Sequence, residues 1–213
     1  MGDYRNTSYC KELKDVLVKK KCLECTIRSE HPRQIDMHKI ISSNSERYKG
    51  MFLAIYNHKC SYCGVSTGIT PARFFEIDHF IFRKAECFNG SKANAGYIGN
   101  LVPACRLCNG KKSDFSFTED EISLFHPDND NLKTLFERDE LYYIKISSEY
   151  CGNNTVKNFY DQLMLGSEIR RIDYLLLNLI GLDRKLEEQD KSFSEIKNAI
   201  ILLQKKRNNM LNC

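Results

Sequence analysis

The sequence predicts an α+β fold, in which a small cysteine-rich core lies between N-terminal helices and a mainly helical C-terminal region. Apolar residues recur at helical spacing before residue 58 and after residue 155. Between them, residues 58–118 are rich in Gly, Cys and Asn and have few regular apolar repeats. That composition is typical of a small domain whose order depends on a bound metal. We therefore divide the chain into residues 1–47, 48–118 and 119–213.

The N-terminal segment is predicted to be basic and helical. Apolar spacing predicts a short helix over residues 9–21 and a second helix over residues 45–57, which leads into the first cysteine pair of the core. Cys22 and Cys25 lie between these helices and are followed by a polar stretch that contains His31 and His38.

The core is predicted to contain two strands and a helix. Residues 74–78 alternate as a half-buried strand does, with Phe75 and Ile77 on one face and Phe74, Glu76 and Asp78 on the other. A loop containing an Asn-Gly turn follows. A second short strand begins at Leu101, and a short helix is predicted from residue 106 to residue 115.

The C-terminal segment begins with turn signals and one strand-like run over residues 141–146. Residues 155–190 have helical apolar spacing. Ser192 and Glu195 fit a capping box that opens a last helix.

Two Cys-x-x-Cys pairs provide the ligands of a metal site. Four soft thiolates at this spacing predict a closed, structural zinc site, because no position is left open for water. The predicted ligands are Cys60, Cys63, Cys105 and Cys108. The alternative, that these are ordinary buried cysteines, is disfavoured by the occurrence of two such pairs.

A second zinc site is a weaker hypothesis. Cys22 and Cys25 could bind an ion together with His31 or His38, but one pair without a partner pair favours ordinary side chains.

Polar residues suited to hydrolysis follow the predicted strands. Asp78 and Asn109 provide a carboxylate and an amide oxygen, hard ligands suited to Mg²⁺ or Mn²⁺. His79 can deprotonate a water for attack on phosphorus, and Lys112 can add positive charge beside the phosphate. For Asn100 we expect a bracing hydrogen bond across the loop. Alone, the Asp-His pair would indicate an ordinary exposed strand end; its position between the cysteine pairs favours catalysis.

The combined pattern of cysteine pairs, Asp78-His79, Asn100-Leu101 and Asn109-x-x-Lys112 resembles the HNH endonucleases over roughly residues 48–115. The resemblance implies a small ββα-metal core crosslinked by the four-cysteine zinc site. It implies that Asp78 and Asn109 are metal ligands, that His79 is the general base and that Asn100 holds the base in place. The loop between His79 and Asn100 departs from the pattern because it is long and basic.

The charge distribution indicates the partners. Residues 49–118 carry nine Lys and Arg against four Asp and Glu, whereas residues 119–213 carry thirteen against seventeen. The positive segment fits DNA, with RNA left open, and the acidic segment is better suited to a protein partner. Neither a signal peptide nor an apolar stretch that could span a bilayer is visible, so we expect a cytoplasmic protein without membrane contact.

The segment after the core is loosely similar to HNH proteins of bacterial anti-phage defence, such as Septu-type nucleases that assemble with an ATPase. This similarity implies a defence or restriction role, with an ATPase bound through the C-terminal region. One active site cuts one strand, so a double-strand break needs a homodimer or two successive events. The alternative function is a non-catalytic zinc-ribbon module or adaptor that binds nucleic acid.

Overall fold

The computed structural model describes residues 2–9, 12–43 and 47–211. The structure is a mixture of helices and two small sheets, which confirms the predicted α+β class. The chain divides into two compact units. Unit A comprises Leu13–Tyr62 and Pro71–Leu132, and unit B comprises Met1–Glu12, Cys63–Thr70 and Lys133–Cys213. The boundaries predicted near residues 47 and 118 both fall inside unit A.

Unit A consists of short helices around a two-stranded antiparallel sheet. Its helices are α1 (Val16–Glu30), α2 (Met37–Ser43), α3 (Tyr48–Ile55), α4 (Lys92–Ala95), α5 (Arg106–Lys112) and α6 (Glu119–Phe125). Its strands are β1 (Phe75–His79) and β2 (Leu101–Cys105), and 3₁₀ turns lie at Ala72–Phe74, Glu86–Phe88 and Ile98–Asn100. Because α5 begins directly after β2, the observed order is the predicted strand, strand and helix.

The core of unit A forms where the first three helices pack together and against the sheet. Buried apolar side chains from α1, α2 and α3 form one cluster with Ile77 of β1 and Leu101 of β2. Each such side chain contributes about 1.5–3 kcal/mol when it is fully buried. Phe75 and Ile77 are both buried, as the alternation of β1 predicts. The sheet is therefore held in place by the N-terminal helices.

Helix α1 differs from its prediction at both ends. It begins at Val16, not near residue 9, because Asp15 has a φ of 56°, in the left-handed region that a helix does not accept. It then continues to Glu30, past the predicted end at residue 21, so Cys22 and Cys25 lie on the helix, and both are exposed. In the part of the chain that the structure describes, neither belongs to a group of three or more clustered metal-binding side chains.

Unit B contains a small hairpin followed by long helices. Strands β3 (Phe136–Arg138) and β4 (Ile144–Ile146) pair in an antiparallel manner, after the short helix α7 (Leu132–Leu135). A 3₁₀ turn at Ser148–Tyr150 precedes the helices α8 (Asn154–Gln162), α9 (Glu168–Glu187) and α10 (Ser194–Leu211).

The structure of this region differs from the prediction in three ways. The strand expected over residues 141–146 is shorter, β3 was missed, and the helical stretch of residues 155–190 is two helices separated by a turn in which Met164 has a φ of 52°. The last helix begins at Ser194, inside the expected capping box. Of the helices in the described residues, none is both long enough and apolar enough to cross a bilayer.

Candidate active site

The β1–β2 hairpin is the frame of the site. Its register pairs Phe75 with Cys105 at one end and His79 with Leu101 at the other. Helix α5 leaves the Cys105 end and packs against both strands. The hairpin therefore has a cysteine end and a histidine end. Because α5 packs along β1, its polar side chains lie beside those of the strand.

The four predicted zinc ligands are brought together. Their sulfur atoms lie within 4.8 Å of one another, all four residues are buried, and all are free thiols: Cys60, Cys63, Cys105 and Cys108. In a tetrahedral site with Zn–S bonds of about 2.3 Å, the sulfurs lie about 3.8 Å apart. The four thiols thus fit one metal ion.

Two residues near Cys63 support this arrangement. Gly64 follows it with a φ of 77°, and a Cβ atom there would lie 2.5 Å from the backbone oxygen of Arg5. Only glycine fits this turn without strain. The guanidinium of Arg170 donates a hydrogen bond to the Cys63 sulfur over 3.1 Å. Hydrogen bonds of this kind orient metal ligands and reduce the charge on their sulfur atoms.

Asp78 lies in the interior, where two donors hold its carboxylate. The Tyr62 hydroxyl donates to Oδ2 over 2.6 Å, and the Lys112 ammonium lies 3.1 Å from the same oxygen. Burial raises the pKa of the Asp78 carboxyl, and the charge of Lys112 opposes this shift. Asp78 is 7% exposed and Lys112 is 0% exposed.

The position of Lys112 differs from the one expected for a residue that contacts phosphate. Besides pairing with Asp78, its ammonium donates to the backbone oxygen of His79 over 3.0 Å. These contacts fix Asp78 and the backbone of His79 relative to α5.

Asn109 contacts a residue that sequence reasoning passed over. Its side-chain amide donates to the carboxylate of Glu76, which lies on the same face of β1 as Asp78. Within the described residues, no hydrogen bond joins Asp78 directly to Asn109. Glu76 could have been identified from the alternation of side chains along β1, because residues two apart on a strand lie on the same face and Glu76 is two residues before Asp78.

His79 lies against a second histidine at the end of β1. The rings of His38 and His79 have centroids 4.2 Å apart and are tilted by 32°. Burial, together with the proximity of His38, lowers the pKa of His79 to about 4, so its imidazole is neutral at neutral pH. The Nε2 atom of His38 donates to the backbone oxygen of Ile77 over 3.0 Å, which ties α2 to β1.

Asn100 connects the two ends of the segment between the strands. Its Nδ2 atom donates to the backbone oxygens of Ile81 and Ala95, each over 2.9 Å, and its Oδ1 atom accepts from the Ile81 N–H over 2.8 Å. The Asn100 backbone oxygen also accepts from Phe80 over 2.8 Å. The residues directly after His79 are therefore held in position by one buried side chain.

Residues 60–115 match the model of the HNH endonuclease family. This segment is an HNH domain. The match begins at the first cysteine of the metal cluster and ends beyond Lys112, so it contains the predicted zinc ligands and catalytic residues. His38 lies before the matched segment, on α2.

A curated relative supports the HNH domain over a similar length. The SPbeta prophage-derived putative HNH endonuclease YoqL of Bacillus subtilis (strain 168) is 34% identical over 64 residues. The aligned part is 30% of this chain and 27% of that protein, so the chain matches about a quarter of the relative's length. No solved structure matches the chain significantly.

Proposed function

We propose that the protein is a metal-dependent HNH endonuclease that hydrolyses phosphodiester bonds in DNA. The observation that carries this proposal is the position of His79. Its neutral, half-buried imidazole lies at the end of β1, next to the buried Asp78–Lys112 ion pair and inside the HNH domain. A neutral imidazole can accept a proton, which is the task of a general base.

In the proposed reaction, His79 accepts the proton of the attacking water. Asp78 and Asn109 would hold the Mg²⁺ or Mn²⁺ ion, which supplies positive charge to the phosphate and to the leaving oxygen. Glu76, whose carboxylate accepts a hydrogen bond from Asn109, would add a further hard oxygen ligand. Asn100 keeps the backbone that follows His79 in place, and Lys112 positions Asp78 from the interior.

The ion held by the four cysteines is proposed to be a structural zinc. The donor set of four buried thiols favours this ion, and it leaves no coordination position for water or substrate. Its contribution would be to the folding of the hairpin and not to the reaction.

The cellular role is proposed to be anti-phage defence or restriction in the cytoplasm, with an ATPase bound through the C-terminal region. Apolar side chains on α10 are exposed in the structure and favour a protein partner: Ile201, Leu202, Met210 and Leu211. The alternative, a non-catalytic adaptor that binds nucleic acid, predicts binding without any dependence on Mg²⁺ or on His79.

A plasmid-nicking assay with Mg²⁺ or Mn²⁺ tests the proposal. Replacing His79 with Asn should reduce the cleavage rate by about 10²–10⁴, the usual contribution of a general base. His58→Asn is the matched control, because His58 is an exposed histidine outside the site and should leave the rate unchanged. Zinc content should be the same in all three proteins. Inactive wild type with both ions, or an active His79→Asn variant, would contradict the proposal.

A further inference from the structure

A cavity of about 360 Å³ lies in unit A, at the edge of β1 that β2 leaves uncovered. Its lining comes from α2, α3, the 3₁₀ turn before β1, β1 itself and the middle of α5. The volume is at the lower end of the range for ligand pockets, about 300–1,000 Å³. The cavity is thus large enough for one group of a substrate.

The polar lining of the cavity favours an anion. Lys49 of α3 and Arg73 of the 3₁₀ turn both line it, and neither forms an ion pair within the described residues. Ser42 adds an exposed hydroxyl. Among the described lining residues, Glu76 is the one carboxylate, and it already accepts a hydrogen bond from Asn109.

The apolar lining does not favour a nucleobase. It consists of Phe75 and Ile77, which are both buried in the sheet. A base bound without sequence preference usually stacks on an exposed aromatic ring, and Phe75 has no exposed face. The two cations and the hydroxyl instead match the oxygens of a phosphate group.

The cavity adjoins the catalytic residues. Asn109 lines both the cavity and the proposed metal site, and His38 lines the cavity while its ring lies against that of His79. A group in the cavity would therefore lie beside the bond that is cleaved.

We propose that this cavity binds a backbone phosphate of the nucleic-acid strand, next to the phosphodiester that is hydrolysed. Lys49 and Arg73 are its cationic partners, and Ser42 donates a hydrogen bond. The identity of the strand as substrate rests on the proposed function. The cavity would fix the position of the strand relative to His79 without reading its sequence, since phosphate contacts carry no base information.

The test measures binding of a fluorescein-labelled DNA duplex to the full chain, with no divalent ion added, at several salt concentrations. In the double variant Lys49→Ala/Arg73→Ala one phosphate loses its contacts. The slope of log Kobs against log salt should therefore become less negative by about 0.9, and by about 0.7 for a single strand. Ser42→Asp places a negative charge at the exposed rim and should also weaken binding, and because Ser42 is exposed the substitution adds no atoms to the buried core.

The matched control is the double variant Lys21→Ala/Arg33→Ala. It removes the same two charge types from exposed positions of unit A that do not line the cavity, and its slope should stay close to that of the wild type. An unchanged slope in the cavity variant, or an equal change in the control, overturns the proposal. Because no cleavage is measured, a protein that binds in this way but never cuts DNA would contradict the proposed nuclease and leave the phosphate site standing.

Discussion

Replacing Asn100 with Ala tests whether its side chain holds the segment after His79 in place. The side chain is 1% exposed and makes three hydrogen bonds, two to Ile81 and one to Ala95. The substitution removes all three and leaves a backbone N–H and two backbone oxygens in the interior without these partners. At about 1 kcal/mol net for each bond, the free energy of unfolding should fall by about 3 kcal/mol.

This loss is large enough to measure by urea and thermal denaturation of the metal-loaded protein. For a chain of this length, about 3 kcal/mol corresponds to a fall in Tm of roughly 6–12 °C. Asn94→Ala is the matched control, because Asn94 lies in the same segment but is exposed, and its effect should stay within about 0.5 kcal/mol.

The cleavage rate gives an independent measurement. Below the Tm of the variant, Asn100→Ala should still reduce the rate, because the backbone that follows His79 loses its anchor. If Asn100→Ala and Asn94→Ala unfold at the same urea concentration, the three hydrogen bonds of Asn100 do not contribute about 3 kcal/mol to the free energy of unfolding.

Three further substitutions test other parts of the structure. Cys105→Ser should prevent uptake of one metal ion per chain and unfold the HNH domain, whereas the exposed Cys87→Ser should not; metal analysis and circular dichroism distinguish the two. Lys112→Met leaves the buried Asp78 carboxylate without its ammonium partner and should cost about 3–5 kcal/mol in urea denaturation, a loss that adding Asp78→Asn should reduce. Burial lowers the pKa of His126, so below about pH 6.5 the unfolded chain takes up a proton on this ring that the folded chain does not. The free energy of unfolding should therefore fall as the pH is lowered from about 7 to about 5, and His126→Gln should reduce this dependence. An identical pH profile in the variant would show that His126 is not the source of the pH dependence.

The hairpin and its helix could be predicted from the sequence because their signals are local. Alternation over five residues identified β1, and the spacing within each cysteine pair identified the thiol cluster. A bracing hydrogen bond was expected for Asn100 from its position at the end of the loop alone. Its side chain does form hydrogen bonds across that loop.

The contacts of His38 could not be predicted in the same way. It lies 41 residues before His79, and the two rings meet only because α2 packs on the uncovered edge of β1. No short-range spacing carries that information. The burial of Lys112 is a second example, since a lysine beside another lysine on a short helix suggests an exposed face.

The start of α1 was missed for a different reason. The sequence around Leu13 has helical spacing, but unit A begins at Leu13, and Asp15 adopts a left-handed conformation directly before the helix. Tertiary structure thus overrides a local preference there. Strand β3 has three residues, which is too short for any alternation to be recognised.

The pairing of Cys105 with Phe75 has a consequence for how the proposed activity can be lost. The sulfur cluster holds the hairpin at one end, and His79 lies four residues from Phe75 along β1, about 13 Å away. If the strands slipped by one residue, every side chain of β1 would turn to the opposite face, and the carboxylates would leave the side of α5. A thiol-alkylating reagent that reaches these sulfurs should therefore abolish the proposed hydrolysis from a distance, by releasing the alignment of the two strands and not by blocking the catalytic residues.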